Sequence, residues 1–168
     1  MRRIDVAILG GGCAGLSLAR ELALCEARGR VVPEAVVIEP REAYTADRTW
    51  CFWSHRDDPP EPRLRHRWPA WRFSTPDRSV VQHSGEWSYG AVPAQAFYDD
   101  ALEAISPSRA IELRQGTVVL RVAPTPEGVQ VATSDGEWLA GQVVDTRPPS
   151  RSSRAATKMV QAFAGAEV

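Results

Sequence analysis

A glycine-rich turn between an apolar strand and a helix is the feature that most constrains how this chain folds. The apolar run Ile4–Leu9 leads directly into glycines at positions 10, 12 and 15, which have the spacing Gly-x-Gly-x-x-Gly. In such a turn the first glycine permits a tight bend, the second lets the backbone approach a pyrophosphate, and the third lets the helix pack on the strand. The sequence therefore predicts a dinucleotide-binding turn. Its predicted cofactor-binding residues are Gly10, Gly11, Gly12, Cys13, Ala14 and Gly15.

The residues after the turn complete a predicted strand-helix-strand unit. Apolar residues recur at helical spacing from Leu16 to Cys25, and Gly29 is a suitable helix stop. A second apolar run, Ala35–Ile38, ends at Glu39, about where a carboxylate that hydrogen-bonds the adenosine ribose is expected. Because an acidic residue disfavours a 2′-phosphate at this place, the unit predicts FAD or NAD rather than NADP.

The composition is that of a soluble globular protein, with 43% hydrophobic and 24% charged residues among 168. A net charge of −1 gives no indication of nucleic-acid binding. No apolar run approaches the roughly 18 residues of a transmembrane helix, and the first strand begins too early to leave room for a cleavable signal, so a cytoplasmic location is expected. The three cysteines and three histidines lack metal-ligand spacing, and no metal site is expected.

The segment after Glu39 loses helical periodicity and becomes rich in aromatic residues. Eight of the thirteen aromatic residues lie between positions 50 and 89. Short alternating pieces such as 71–74 and 79–82 predict strands of a separate sheet. We interpret this segment as an insertion that contributes to a substrate region, since large rings can line an apolar cavity. The alternative, that the rings pack a small satellite core, stays open.

Regular patterning returns at Pro93, a favourable first helical residue, and continues to Ile105. A strand is predicted at Ala110–Leu113, which makes the helix a crossover back to the parallel sheet. Three short strands then form a predicted β-meander, and a further parallel strand ends at Asp145. The predicted strands of the meander and the strand after it are 117–122, 129–133, 137–140 and 142–144.

This succession of elements resembles the FAD domain of the glutathione-reductase-like flavoprotein superfamily. The resemblance favours FAD over NAD and implies an α/β fold, namely a Rossmann-like FAD-binding domain with a parallel sheet, a β-meander and a partial antiparallel substrate-region insertion. The predicted parts are 1–47 for the FAD-binding βαβ unit, 48–91 for the aromatic-rich insertion, 92–150 for the remainder of the FAD-binding domain, and 151–168 for the start of a truncated substrate domain.

Within that superfamily the chain most resembles the lycopene β-cyclases of carotenoid biosynthesis. Its Thr-Trp-x-Phe and Asp-x-Arg-Pro-Pro segments are the specific part of the likeness, because flavoproteins in general share the glycine motif. The likeness corresponds to the N-terminal part of that family, whose second flavin motif and acidic Phe-Leu-Glu-Glu-type motif do not occur in these 168 residues. The four stretches that carry it are 5–17, 48–53, 87–98, and 144–149 followed by 160–165.

The resemblance implies a cyclisation without net redox change, in which an acyclic end of lycopene is protonated, closes through a carbocation and loses a proton to leave a β-ring. It implies reduced FAD with NAD(P)H as the electron source, lycopene or a related carotenoid as substrate, a complementing C-terminal half, and association with the inner membrane surface. The catalytic acid and base stay unknown. The alternatives are a fragment of an FAD-dependent hydroxylase or geranylgeranyl reductase, and a non-catalytic FAD-binding remnant.

Two groups of candidate site residues lie outside the glycine turn. Aromatic side chains in the first group would attract a carbocation. The predicted substrate-binding residues are Thr49, Trp50, Phe52 and Trp53. The further predicted cofactor-binding residues, besides Glu39, are Arg41, Arg48 and Asp145. An exposed ion pair is the alternative for each arginine, and a turn cap is the alternative for Asp145.

Overall fold

The computed structural model describes residues 1–58 and 61–148, so the predicted start of a substrate domain at 151–168 lies outside the described residues. The described chain contains two helices and eleven strands. In chain order they are β1 (Arg2–Leu9), α1 (Cys13–Ala27), β2 (Ala35–Ile38), β3 (Thr49–His55), β4 (His66–Trp68), β5 (Ala70–Ser74), β6 (Ser79–His83), β7 (Trp87–Pro93), α2 (Ala94–Ile105), β8 (Ile111–Arg114), β9 (Val119–Thr125), β10 (Gly128–Thr133) and β11 (Gly136–Asp145).

The largest sheet of the described residues is mixed and has six strands in the order β8-β2-β1-β11-β10-β9. Strand β1 pairs in parallel with β2 and β11, and β2 pairs in parallel with β8. Strand β10 pairs antiparallel with both β9 and β11. Since α1 joins β1 to β2 and α2 leads into β8, the predicted βαβ unit and crossover helix are confirmed.

Both faces of the parallel strands are buried, which explains their nearly continuous apolar sequences. Ile8 points to one face and packs with Leu16 of α1 and Phe97 of α2. Its neighbour Leu9 points to the opposite face and packs in a second cluster with Trp138 of the meander. The helices therefore cover one face of the parallel strands, and a second apolar cluster buries the other face.

The two helices contact each other on one face of the sheet. Helix α1 ends at Ala27, and Gly29 has a φ of +76°, as expected for the glycine that stops a helix. Within residues 1–58 and 61–148, neither helix is long and apolar enough to cross a membrane.

The aromatic insertion forms an antiparallel sheet in the order β3-β7-β4 and a separate hairpin, β5-β6, so its predicted antiparallel character is confirmed. The predicted boundary at residue 91 falls within β7, which runs on to Pro93. The prediction that Pro93 opens the following helix is wrong. Pro93 is paired with Thr49 and has an extended backbone, with φ −60° and ψ 137°, so that α2 begins one residue later.

The prediction of two separate strands at 137–140 and 142–144 is also wrong. These residues belong to the single strand β11, which pairs with β10 through its first half and with β1 along most of its length. Gly141, the residue between the two predicted strands, lies beside the Asp5 carbonyl, where an added Cβ would be 3.1 Å from the oxygen. A glycine at a close backbone approach does not interrupt an extended strand.

The buried position of Leu16 provides a test of this fold. Leu16→Ala is expected to lower the free energy of unfolding by about 2–5 kcal/mol, because it opens a cavity between α1 and the sheet. The matched change Leu120→Ala, at a side chain that is 68% exposed, should stay within about 0.5 kcal/mol of the parent. Chemical denaturation of both variants measures the difference, and equal losses would contradict the described core.

Candidate functional site

The glycine turn has the strand-to-helix geometry that the sequence predicts. Strand β1 ends at Leu9, and the Gly10 N–H donates to the Ile38 carbonyl at 2.9 Å. Gly10 has a φ of +98°, in the left-handed region that side chains rarely adopt. Gly12 is the N-cap of α1. The turn therefore brings the start of α1 to the carboxyl ends of β1 and β2.

The other two motif glycines have different surroundings. A Cβ at Gly15 would lie 1.9 Å from the Gly10 carbonyl oxygen, so the helix packs on the turn more closely than a side chain allows. Apart from its chain neighbours, a Cβ at Gly12 would meet no atom of the described residues within 4 Å. Gly15 is therefore required by packing, whereas Gly12 borders open space of the kind that a diphosphate approaching the backbone needs.

The start of α1 is suited to an anion. The first turn contains no acidic residue, and no side chain in the described part of the chain caps the helix at Gly12. The Leu16 N–H donates to the Gly12 carbonyl at 2.9 Å, and the amides before it have no partner within the helix. Cys13 is half-buried, and burial raises the pKa of its thiol, so it is a neutral part of this turn. Free amides and the positive end of the helix dipole would hold a diphosphate.

Glu39 lies at the end of β2 and reaches back to the turn. Its side chain is 4% exposed, and Oε2 accepts a 2.6 Å hydrogen bond from the Gly11 N–H. Burial by itself raises the pKa of the carboxyl, but hydrogen bonds from the Arg41 side chain, the Arg41 N–H and the Gly11 N–H outweigh it, and the pKa is lowered. Glu39 is therefore a carboxylate held beside the turn, where an adenosine ribose is expected.

Arg41 folds back over this carboxylate. Its Nε donates to Glu39 Oε1 at 2.7 Å, and Nη2 donates to the Gly11 carbonyl at 3.1 Å. Nη1 donates to the Tyr98 hydroxyl at 2.8 Å and lies 3.3 Å from Asp47 Oδ2. The guanidinium thus joins the glycine turn to α2 and to the loop before β3.

Tyr44 is a residue of this site that the sequence reasoning missed. Its ring stacks on Tyr98 with 4.3 Å between centroids. Its hydroxyl is buried without a hydrogen-bond partner among the described residues, and lies 2.2 Å from where a Cβ on Gly11 would be. An unpartnered buried hydroxyl beside the turn is available to a ligand oxygen, so this side of the turn also fits a nucleotide. The pattern of the sequence contains no signal for it.

Thr146 is a second missed residue. Its Oγ1 lies 3.0 Å from the carbonyl oxygens of both Leu9 and Gly10, and its N–H donates to the Leu9 carbonyl at 2.9 Å. It therefore holds the end of β1 in place from the neighbouring strand. The sequence did contain a signal for Thr146, because it follows Asp145 at the end of a predicted parallel strand.

Arg48 and Asp145 make contacts of the kind named as their alternatives. Arg48 Nη2 donates to Asp47 Oδ2 at 2.6 Å in an exposed ion pair. Asp145 accepts hydrogen bonds from the N–H and the guanidinium of Arg147, at 3.1, 2.9 and 2.7 Å. That arrangement is a turn cap at the end of β11. A cofactor contact for either residue stays a prediction.

The four predicted substrate-binding residues lie together on β3 but not on one face. Trp50 and Phe52 point toward the helical core, and the Trp50 ring is 4.9 Å from that of Phe97, edge to face. Trp53 points the other way and is 46% exposed, while Thr49 is exposed at the start of the strand. The strand alternation therefore separates the aromatic set into two groups.

Trp53 belongs to an open depression of about 410 Å³ on the insertion. Its ring meets Trp71 edge to face, with 4.5 Å between centroids. The residues that line the depression are Trp53, Trp71, His83, Ser84 and Trp87. Some rings of the insertion therefore pack against the main core and others line a concave surface, and a substrate contact for either group stays a prediction.

The fold and the turn are those of the α/β class to which FAD-binding proteins belong. The p-nitrophenol 4-monooxygenase PnpA of Pseudomonas putida DLL-E4 has a similar structure, with a TM-score of 0.64 and 14% identity over 95% of this chain and 45% of that one. The flavin-dependent monooxygenase PieE, solved in complex with FAD and substrate, has a TM-score of 0.57 and 13% identity over 84% of this chain and 29% of that one. At these identities the likeness concerns the fold.

The family follows from the sequence comparison. The family model described as lycopene cyclase protein matches residues 5–168, so the chain belongs to the lycopene cyclase family. The dialkyldecalin synthase of Streptomyces rugosporus is 32% identical over 151 residues, which cover 81% of this chain and 30% of that protein. The chain therefore spans about a third of this relative's length and less than half of each of the two monooxygenases.

The two glycines with different surroundings provide a matched test of the turn. Gly15→Ala should lower the unfolding free energy, since the new methyl group collides with backbone rather than with a side chain that can move. The loss of unfolding free energy should be about 1–3 kcal/mol or more, as for an overpacked core. Gly12→Ala should unfold like the parent, because its Cβ enters open space. Thermal and urea unfolding of both variants measures this, and a stable Gly15→Ala protein would contradict the close approach.

Proposed function

We propose that this chain binds FAD and forms part of an enzyme that closes a ring on a linear isoprenoid polyene, with lycopene as the substrate and a β-ring as the product. The observation that carries the proposal is the cradle at the glycine turn, where open backbone at Gly12, the free amides of α1 and the Glu39 carboxylate lie together. Membership of the lycopene cyclase family supports the reaction class.

The cofactor contacts are assigned to groups with matching chemistry. The amides at the start of α1 would hold the diphosphate, and Glu39 would accept hydrogen bonds from the ribose hydroxyls. Bound in its reduced form, with NAD(P)H as the proposed electron source, FAD supplies a negative charge that stabilises a nearby cation.

The proposed ring closure consumes one proton and releases one, so it has no net redox change. A protonated end group becomes a carbocation, the ring forms by attack of a double bond, and loss of a proton completes the product. Trp53 is the predicted substrate-binding residue that lines the open depression, and its ring face would stabilise the cation by about 2 kcal/mol or more once that depression is desolvated. The groups that give and take the proton are not assigned within this chain.

A second candidate function is ring closure on a polyene other than lycopene. The relative from Streptomyces rugosporus is named a dialkyldecalin synthase, and a decalin is a carbocycle of two fused rings. Ring formation is therefore common to both candidates, and the substrate distinguishes them. An FAD-dependent hydroxylase or geranylgeranyl reductase, in contrast, would consume NAD(P)H for each product formed.

The partners follow from the same proposal. Because relatives continue well beyond the length matched here, we propose that a complementing C-terminal half supplies the rest of the active site. Four aromatic side chains of the insertion that are at least 43% exposed are candidates for contact with it; they are Trp53, Trp68, Phe73 and Trp87. We also propose a cytoplasmic protein that works at the inner membrane surface, where a carotenoid is dissolved.

FAD binding is tested by titration of FAD with the purified chain, monitored by flavin fluorescence and by gel filtration. The parent should bind FAD. Gly12→Ala should bind it at least about tenfold more weakly, because a methyl group enters the space for the diphosphate, while its unfolding curve stays unchanged. Leu120→Ala serves as the surface control. A folded parent protein that leaves FAD free would contradict the proposal.

The reaction is tested in a bacterium that accumulates lycopene, with the coding sequence expressed together with its downstream reading frame. Conversion to β-carotene is measured by chromatography of the extracted pigment. Trp53→Leu should reduce conversion about tenfold or more at equal protein level, whereas Leu120→Ala, at an exposed position of β9, should not. Unchanged lycopene in cells that contain FAD-loaded protein would exclude lycopene as the substrate and leave the decalin-type candidate.

A further inference from the structure

The Glu39 carboxylate already has as many hydrogen-bond donors as it can accept. Oε2 receives the Gly11 N–H at 2.6 Å and Arg41 Nη2 at 3.3 Å. Oε1 receives the Arg41 N–H at 2.9 Å and Arg41 Nε at 2.7 Å. A carboxylate offers about four lone-pair positions, and these four donors fill them. The two hydroxyls of a ribose can therefore bind Glu39 only if two of the donors leave.

The donors differ in how easily they move. The N–H groups of Gly11 and Arg41 belong to the backbone of the glycine turn and of the residues after β2, which the sheet fixes. The other two donors belong to the Arg41 guanidinium, whose side chain is 29% exposed. The guanidinium is thus the group that a ribose would displace.

A second set of partners for the guanidinium lies next to it. Nη1 already donates to the Tyr98 hydroxyl at 2.8 Å and is 3.3 Å from Asp47 Oδ2. The Tyr98 hydroxyl in turn donates to Asp47 Oδ1 at 3.1 Å, which orients the carboxylate. The guanidinium also lies 4.8 Å from the centre of the Tyr44 ring, a cation-π distance that a small rotation can keep.

We propose that Arg41 is a displaceable counterion of Glu39, and that Asp47 and Tyr98 are positioning residues that receive its guanidinium when the ribose diol of an adenine nucleotide binds. The proposal rests on the proposed nucleotide site. The affinity for the diol then depends on how strongly Glu39 and Asp47 compete for the single guanidinium of Arg41. The ligand class is therefore a nucleotide with free 2′ and 3′ hydroxyls.

The competition predicts opposite effects for two substitutions. Arg41→Gln removes the competitor and should tighten ADP binding about three- to tenfold. Asp47→Asn removes the receiving carboxylate, leaves the guanidinium on Glu39, and should weaken ADP binding by a similar factor. In the double variant, Asp47→Asn should have no further effect, because Asp47 acts through Arg41. Interaction between the two substitutions is what a double-mutant cycle measures.

The experiment uses calorimetric titration of the whole chain with ADP and with 2′,3′-dideoxy-ADP. The dideoxy compound keeps the diphosphate charge but has no diol, so both substitutions should change its affinity less than that of ADP. Arg121→Gln removes an exposed arginine of β9 and controls for net charge. Asp47→Asn keeps the Glu39–Arg41 pair intact, so it tests the proposal even if Arg41→Gln unfolds.

The results that would overturn this proposal differ from the result that would overturn the proposed function. Weaker ADP binding by Arg41→Gln would overturn the proposal and make Arg41 a direct ligand. Equal effects on ADP and dideoxy-ADP, or an Asp47→Asn effect that persists without Arg41, would also overturn it. If the folded parent and Arg41→Gln proteins both fail to bind ADP and FAD, the proposed function itself is wrong.

Discussion

The close contact between the start of α1 and the end of β1 is the constraint on which the other features depend. The Gly10 carbonyl lies where a side chain on residue 15 would begin, so the helix can approach the turn only with glycine at that position. This approach points the unpaired amides of α1 past the ends of β1 and β2. It also allows Thr146, at the end of β11, to bind the carbonyls of the turn. One steric requirement therefore aligns three strand ends and a helix terminus.

A network of charges connects this turn to more distant parts of the chain. Glu39 holds the turn through Gly11, and Arg41 carries the connection to Tyr98 on α2 and to Asp47 before β3. A buried carboxylate is costly unless it is paired and hydrogen-bonded, so the network is a condition for placing Glu39 there at all. The same pairing gives the site its chemistry, since the acceptor positions that a ribose would use are already in contact with a cation.

Local sequence patterns predicted the regular elements well and the tertiary detail less well. The glycine spacing, the apolar run at 35–38 and the acidic residue after it defined the βαβ unit, which the structure confirms. The strands predicted at 137–140 and 142–144 are one strand, because pairing with β10 and with β1 keeps β11 continuous. The aromatic residues of β3 look like one set in the sequence, but the twofold alternation of a strand sends Trp50 and Trp53 to opposite faces.

The sequence by itself determined the fold class, the position of the glycine turn and the family, because these depend on spacing between residues close together in the chain. Tertiary structure decided which side chains share the site. Tyr44 and Tyr98 are far apart in sequence and have no motif of their own, yet packing of α2 on the sheet stacks their rings beside Glu39. Contacts between distant residues arise from the packing of whole elements, which no short pattern encodes.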